Sequence, residues 1–292
     1  MTDIDVAAVL ALAQAARRND GVAPLSEAFL LDLRSPHPRS THLTAQIDGE
    51  LAGYGQVDPA GATELVVHPD HRHAGVARDL WKRALAAGAN SLWAHGGLPA
   101  SAAFASGLGL TAVRELHRME RPLGEADLTE PEFPSGFTHR IFAPGVDDQA
   151  WVALNAAAFA GHPEQGRLTL SDLHERMAEP WFDAEGFFLV EDDSRPDLGP
   201  IAFHWTKIEP ANGPHDSGEV YVVGVHPAYQ GRGLARPLTR LGIAHLARHG
   251  LGRVDLYVDG DNTAALATYR KEGLTITSTD VVYALPAARM GS

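Results

Sequence analysis

The sequence predicts two tandem α/β domains, each with strands and helices in mixed order. Three observations carry that expectation. The chain has 292 residues, more than one average domain needs and enough for two that each bury a core. A segment of it recurs 158 residues further on, with later echoes at an offset of 164, and within each copy β-rich runs alternate with helical patterns.

The repeat is clearest where Glu64 to Leu80 matches Val222 to Leu238. Val67, His68 and Pro69 pair with Val225, His226 and Pro227, and Arg72, Gly75 and Ala77 pair with Gln230, Gly233 and Ala235. Further on, Leu92-Trp93 and Gly109-Leu110-Thr111 echo Leu256-Tyr257 and Gly273-Leu274-Thr275. Each copy runs through helical segments, a hairpin-like pair of strands, a longer strand, a helix, another strand and a last helix. In the second copy the periodicities predict helices over 149–159 and 170–177, then strands over 187–191, 201–207 and 219–225. A helix over 234–249, a strand over 253–258, a helix over 263–272 and a strand over 275–284 complete it. Between the copies, Pro122, Pro131 and Pro134 lie among acidic residues, a composition that resists helix and sheet. The expected division is a domain over 1–121, a linker over 122–136 and a second domain over 137–292.

Charge and composition narrow the partners. A formal net charge of -13 provides no basic surface in aggregate to neutralise phosphates, so nucleic acid is not an expected partner. The chain has no cysteine, which excludes disulfides, a thiol nucleophile and Cys-ligated zinc. The N-terminus carries Asp3 and Asp5 where a signal peptide is basic, and no apolar run approaches the roughly 18 residues of a spanning helix. A cytoplasmic monomer with no membrane partner is expected.

The chemistry begins at the turn after the strand ending in Val225. Gly231 and Gly233 let the backbone expose consecutive N–H groups, and the following helix N-terminus adds unpaired donors and partial positive charge. An isolated Gly-x-Gly is usually a plain strand-to-helix turn, but here the turn recurs at the same offset in the other copy. A pyrophosphate would fit it, and Arg232 and Arg236 could add to the field. Glu219 opens the strand leading into the turn and Tyr269 lies in the 263–272 helix. A carboxylate and a phenol can take and give a proton in general acid–base chemistry, although either residue alone reads equally as a solvated carboxylate or a core tyrosine. In the first copy Gly61 stands at Glu219's offset, Glu64 points to the other strand face unless a bulge intervenes, and Ala103-Phe104-Ala105 offers no hydroxyl. That copy is expected to be catalytically degenerate. If the strand bulges at Gly224, backbone N–H groups near Val223 to Val225 could receive an anionic oxygen; the alternative is that Gly224 relieves crowding.

Gln230-x-x-Gly233-x-Ala235, followed by Asn262-x-x-Ala265-x-x-x-Tyr269-x-x-x-Gly273-Leu274, resembles the GNAT superfamily of acyl-CoA-dependent N-acetyltransferases. The resemblance spans both copies, with the second motif intact only in the C-terminal one, and implies for each copy a mixed, mostly antiparallel sheet flanked by helices. Segments 158–183, 203–207, 218–239 and 256–274 together are similar to the mycothiol synthase family within it. That resemblance implies acetyl-CoA as donor and, as acceptor, the cysteinyl amine of 1D-myo-inositol 2-(L-cysteinylamino)-2-deoxy-α-D-glucopyranoside. It implies Glu219 as base and Tyr269 as acid. It places acetyl-CoA against Val223, Gly224 and Val225, against Gln230, Gly231, Arg232, Gly233, Leu234, Ala235 and Arg236, and against Asn262, Thr263, Ala264, Ala265, Leu266 and Ala267. In the first copy the matching residues are Leu65, Val66, Val67, His73, Ala74, Gly75, Val76, Ala77 and Arg78, although Ala74 replaces a residue that is often basic. The acceptor would meet Glu27, Glu164, Lys207, Glu219 and Tyr257. A different amine acceptor, such as an aminoglycoside or a protein N-terminus, and a coenzyme A sensor without turnover are the alternatives. No metal is expected: His68, His71 and His73 match no common zinc spacing, and Asp259 to Asn262 lacks the glutamate of a calcium loop.

Overall fold

The computed structural model describes residues 4–162, 165–209 and 217–286. The chain divides into two compact units: unit 1 comprises 1–117, 259–261 and 278–292, and unit 2 comprises 118–258 and 262–277. The Pro-rich segment over 122–136 belongs to unit 2, and the two ends of the last strand fall in different units.

Unit 1 begins with α1 (Val6–Asp20) and α2 (Glu27–Arg34), followed by β1 (Thr41–Ile47), β2 (Glu50–Val57) and β3 (Ala62–Val67). Then come α3 (Val76–Ala86), β4 (Ser91–Ala94), α4 (Pro99–Gly107) and the first part of β5 (Thr111–Pro122). Local signals explain the helix limits. Asp5 accepts from the Ala8 N–H at the start of α1, and Gly21 ends it in the left-handed region at φ +73°. The sheet runs β1-β2-β3-β4 and closes on the end of β11 (Thr275–Ala284). β1, β2 and β3 pair antiparallel, β3 and β4 parallel, and β4 and β11 antiparallel.

Unit 2 contains β6 (Phe137–Ile141), α5 (Asp148–Ala158), α6 (Leu170–Met177), β7 (Phe187–Asp192), β8 (Pro200–Lys207) and β9 (Ser217–Val225). It continues with α7 (Ala235–Arg248), β10 (Arg253–Asp259), α8 (Thr263–Lys271) and the start of β11. These bounds agree with the sequence expectation to within two residues. β6 was not expected; its residues include His139 and Arg140, and pairing with β7 rather than apolar periodicity makes it a strand. The sheet order is β6-β7-β8-β9-β10-β5, with β11 beyond β5. β9 pairs antiparallel with β8 and parallel with β10, the latter as a helix crossover requires.

One face of this sheet is aromatic. Trp205 stacks on Phe187 at 4.5 Å, and Trp151 meets both edge-on. The other face packs Val220, Val254, Leu256 and Val258 against Ile243 and Leu246 of α7 and Leu266 and Tyr269 of α8. Gly242 lets α7 approach β8: a Cβ there would stand 1.9 Å from Nε2 of the buried His204. Ala gains about 1 kcal/mol over Gly in a helix, but overpacking a closed core costs about 1–3 kcal/mol. Gly242→Ala is therefore expected to lower stability, read as a fall in the urea midpoint at unchanged slope. An unchanged or higher midpoint would show that His204 moves aside freely. Among the described residues no helix is long and apolar enough to cross a membrane.

Candidate active site

The turn after β9 has the geometry of an anion cradle. Gly231 and Gly233 lie in the left-handed region at φ +77° and +80°, where an L side chain is strained, and α7 begins at Ala235. The His226 ring accepts from the Ala228 N–H, and the Gln230 amide donates to the Val225 carbonyl. Arg232 lies over the Tyr229 ring at 4.4 Å, and Tyr229 donates to Asp192 at 2.9 Å. Arg236 is engaged elsewhere: Arg236 and Arg240 hold the two oxygens of the buried Glu272 at 2.6 and 2.8 Å.

The turn after β3 repeats this arrangement within unit 1. His68 accepts from the Asp70 N–H, Arg72 donates to the Val67 carbonyl, and Gly75 precedes α3 at φ +84°. His73, which occupies the place of Gly231, is held at φ +62°, a conformation costing a residue with a Cβ about 1–2 kcal/mol. Arg72 also forms a two-point ion pair with Asp20. The first turn thus keeps the shape but replaces a glycine by histidine and Arg232 by Ala74.

In unit 2 the parallel ladder between β9 and β10 runs from Ser217 opposite Arg253 to Val220 opposite Leu256 and ends there, while the strands continue to Val225 and Asp259. The strands part beyond that rung, so β9 has an open edge leading to the glycine turn. Glu219 sits one residue before the last rung. Tyr269 packs in the cluster containing both Val220 and Leu256, on the opposite sheet face. Burial pushes its hydroxyl up to about 12. Glu219 and Tyr269 therefore belong to two faces of one strand junction.

Register also brings Lys207 opposite Glu219 on β8, and Asp255 opposite Glu219 on β10. Directly opposed residues share a sheet face. The Lys207 ammonium lies 5.1 Å over Trp181 and 5.7 Å over Tyr221, and pairs with Glu209 at 2.8 Å. Arg176 donates to the Tyr221 hydroxyl at 2.9 Å, and Arg118 pairs with Asp255. Tyr257 follows on the Asp255 side of β10 and is 46% exposed. Arg176, Trp181 and Tyr221 were not singled out from sequence, where they read as ordinary helix and core residues. Asn262 caps α8 by accepting from Ala265, and Thr263, Ala264, Ala265, Leu266 and Ala267 form its first turns. Glu27 lies at the start of α2 in unit 1. Glu164 lies outside the described residues.

β9 does not bulge at Gly224 in its pairing with β8. Val223, Gly224 and Val225 stay in register with β8, and the irregularity falls where Trp205 faces Val222 and Thr206 faces Val220, leaving Tyr221 extra. A Cβ on Gly224 would stand 2.7 Å from Phe203, so this glycine relieves crowding.

Unit 1 has the same parting of strands after Thr63 opposite Leu92. Ala62 precedes that rung, and Ala105 on α4 stands at the place of Tyr269. Glu64 is buried there and pairs with His95 at 3.1 Å, while His95 contacts Asp280 at 2.9 Å. Ser26 and Gly96 donate backbone N–H groups to the two carboxylates. Burial alone would push the His95 imidazole down, but Glu64 and Asp280 outweigh it and raise it to about 10. Because the folded value exceeds the ordinary 6.5, this stabilisation is complete below about pH 6.5 and fades as pH rises through 10. Unfolding midpoints should decline across that window in the wild type and less steeply in His95→Gln. Parallel declines would remove His95 as the source.

The model of the acetyltransferase (GNAT) family matches residues 8–109 and 151–274. The chain belongs to the GNAT family of acetyltransferases. Mycothiol acetyltransferase of Thermomonospora curvata is 49% identical over 98% of this chain and 95% of its own length. Mycothiol acetyltransferase of Streptomyces avermitilis is 49% identical over 94% of this chain and 90% of its own. Among solved structures, a GCN5-related N-acetyltransferase from Sphaerobacter thermophilus superposes with TM-score 0.68 at 23% identity, covering 96% of this chain and 91% of that one. A tandem GNAT protein from the clavulanic acid biosynthesis pathway superposes at 0.69 with 17% identity, covering 95% and 93%. The tandem α/β GNAT fold and N-acetyltransferase activity follow from this membership, with acetyl-CoA as the family's donor.

Proposed function

We propose that this acetyltransferase acetylates the cysteinyl amine of 1D-myo-inositol 2-(L-cysteinylamino)-2-deoxy-α-D-glucopyranoside, producing mycothiol. The observation that carries the acceptor is the 49% identity, along nearly the whole chain, to relatives named mycothiol acetyltransferase. The chemistry belongs to unit 2, where a base and an acid flank the strand junction; unit 1 retains the turn and lacks both.

In the proposed reaction the amine nitrogen bonds to the thioester carbonyl carbon and the carbon–sulfur bond breaks. Glu219, directly or through water, takes the proton that the attacking amine loses, and Tyr269 supplies one to the departing thiolate. N–H groups along the open edge of β9 are suited to receive the developing oxyanion. The glycine turn at 230–236 and the first turns of α8 hold the donor. Lys207, Tyr257 and Glu164 are assigned to the polyhydroxylated acceptor, which needs several polar side chains for orientation.

The deciding experiment supplies acetyl-CoA with a panel of amines, including the cysteinyl glucosaminyl-inositol, aminoglycosides and peptides, and follows free coenzyme A. Release dependent on the cysteinyl substrate is expected. Release with aminoglycosides or peptides alone would overturn the acceptor, and no release with any amine would favour a sensor.

A further inference from the structure

We propose that Asp183, His245 and His249 form a binding site for one divalent transition-metal ion of the zinc class, separate from the acetyl-transfer site. All three belong to unit 2. His245 and His249 are one helical turn apart at the C-terminal end of α7, a spacing that puts both rings on one face. Their centroids are 4.5 Å apart. Asp183 precedes β7; one of its oxygens accepts from the Glu185 N–H, while Oδ2 lies 3.7 Å from Nε2 of His245. One ligand atom from each residue falls within a 4.8 Å group.

The second observation is the state of His245. The residue is 6% exposed, and its Nε2 makes no hydrogen bond among the described residues. A buried polar atom without a partner is costly, and this one faces the carboxylate of Asp183. A neutral imidazole has one ring nitrogen with a lone pair, the form in which histidine ligates a metal. The Phe188 ring lies edge-on to it at 5.6 Å, restraining its orientation. Gly186 leaves the nitrogen's surroundings uncrowded: a Cβ there would stand 2.9 Å from Nε2.

Two imidazoles and a carboxylate are a borderline donor set, suited to zinc, nickel or copper rather than to calcium or magnesium. Metal–ligand bonds of about 2.0–2.2 Å place tetrahedral ligand atoms roughly 3.4 Å apart, close to the observed separation of His245 and Asp183. His249 is exposed and Asp183 half-exposed, so both can close on an ion while water completes its shell. The negative end of the α7 dipole favours a cation, and the Arg248 charge opposes it. About 20 Å of helix separates this end of α7 from the glycine turn. An ion here would tie the end of α7 to the segment entering β7 and take no part in proton transfer.

The test uses the full chain, freed of any affinity tag and stripped with a chelator, titrated calorimetrically with zinc chloride. One equivalent is expected to bind, the melting temperature to rise with added zinc, and cobalt(II) to develop visible absorption. His249→Ala and Asp183→Asn should each weaken binding at least about tenfold while leaving metal-free acetyl transfer unchanged. Both positions reach solvent, so neither variant depends on repacking the core as a His245 variant would. Undiminished zinc affinity in both variants, or no saturable binding by the wild type, would overturn the site.

Discussion

Glu219→Gln is expected to lower turnover by about 10²–10⁴-fold, the range associated with loss of a positioned general base, while acetyl-CoA binding is retained. The amide has the same shape as the carboxylate but cannot accept the amine proton. The residue lies opposite Lys207 on one neighbouring strand and Asp255 on the other, so an isosteric change leaves the sheet register intact. Residual activity then depends on amine that has already lost its proton, and should rise with pH toward the usual amine value of about 8. A variant with wild-type turnover and an unaltered pH profile would falsify the assignment of Glu219 as base.

Tyr269→Phe is expected to lower turnover by about 10²-fold or more without lowering the melting temperature. The ring packs against Val220, Leu256 and Leu266, and Phe preserves that packing. Burial holds the phenol protonated up to about pH 12, so it remains an acid across the whole range in which the amine is free. A donor thioester with a more acidic thiol needs less help in leaving, and should recover much of the lost rate. Equal losses with both donors, accompanied by a lower melting temperature, would point to a packing role instead.

Much of this site was legible from local patterns. The C-terminal strands and helices follow apolar periodicity over short windows, and their limits follow caps and glycines, so the elements carrying Glu219, Gly231, Gly233 and Tyr269 were readable in order. β6 escaped because its pattern is polar and its pairing with β7 is long-range. The irregularity at Tyr221 also escaped: sequence pointed to Gly224, yet the Phe203 ring occupies the space beside that glycine. Arg176 and Trp181 meet Tyr221 and Lys207 only through packing of α6 and its following segment against the sheet. The pairing of Glu64 and His95 with Asp280 joins residues far apart in the chain and has no local signature.

The sequence alone determined the contrast on which we propose the second half for acetyl transfer: in a duplicated chain the turn recurs, while the carboxylate and the phenol do not. Turn chemistry and helical spacing act over a few residues and can be read without knowing what they pack against. Only the tertiary structure decided where the strands part, which side chains face Glu219, and that unit 1 buries a charged histidine between two carboxylates. Register and burial arise from contacts between distant segments, and a one-residue shift exchanges the two faces of a strand.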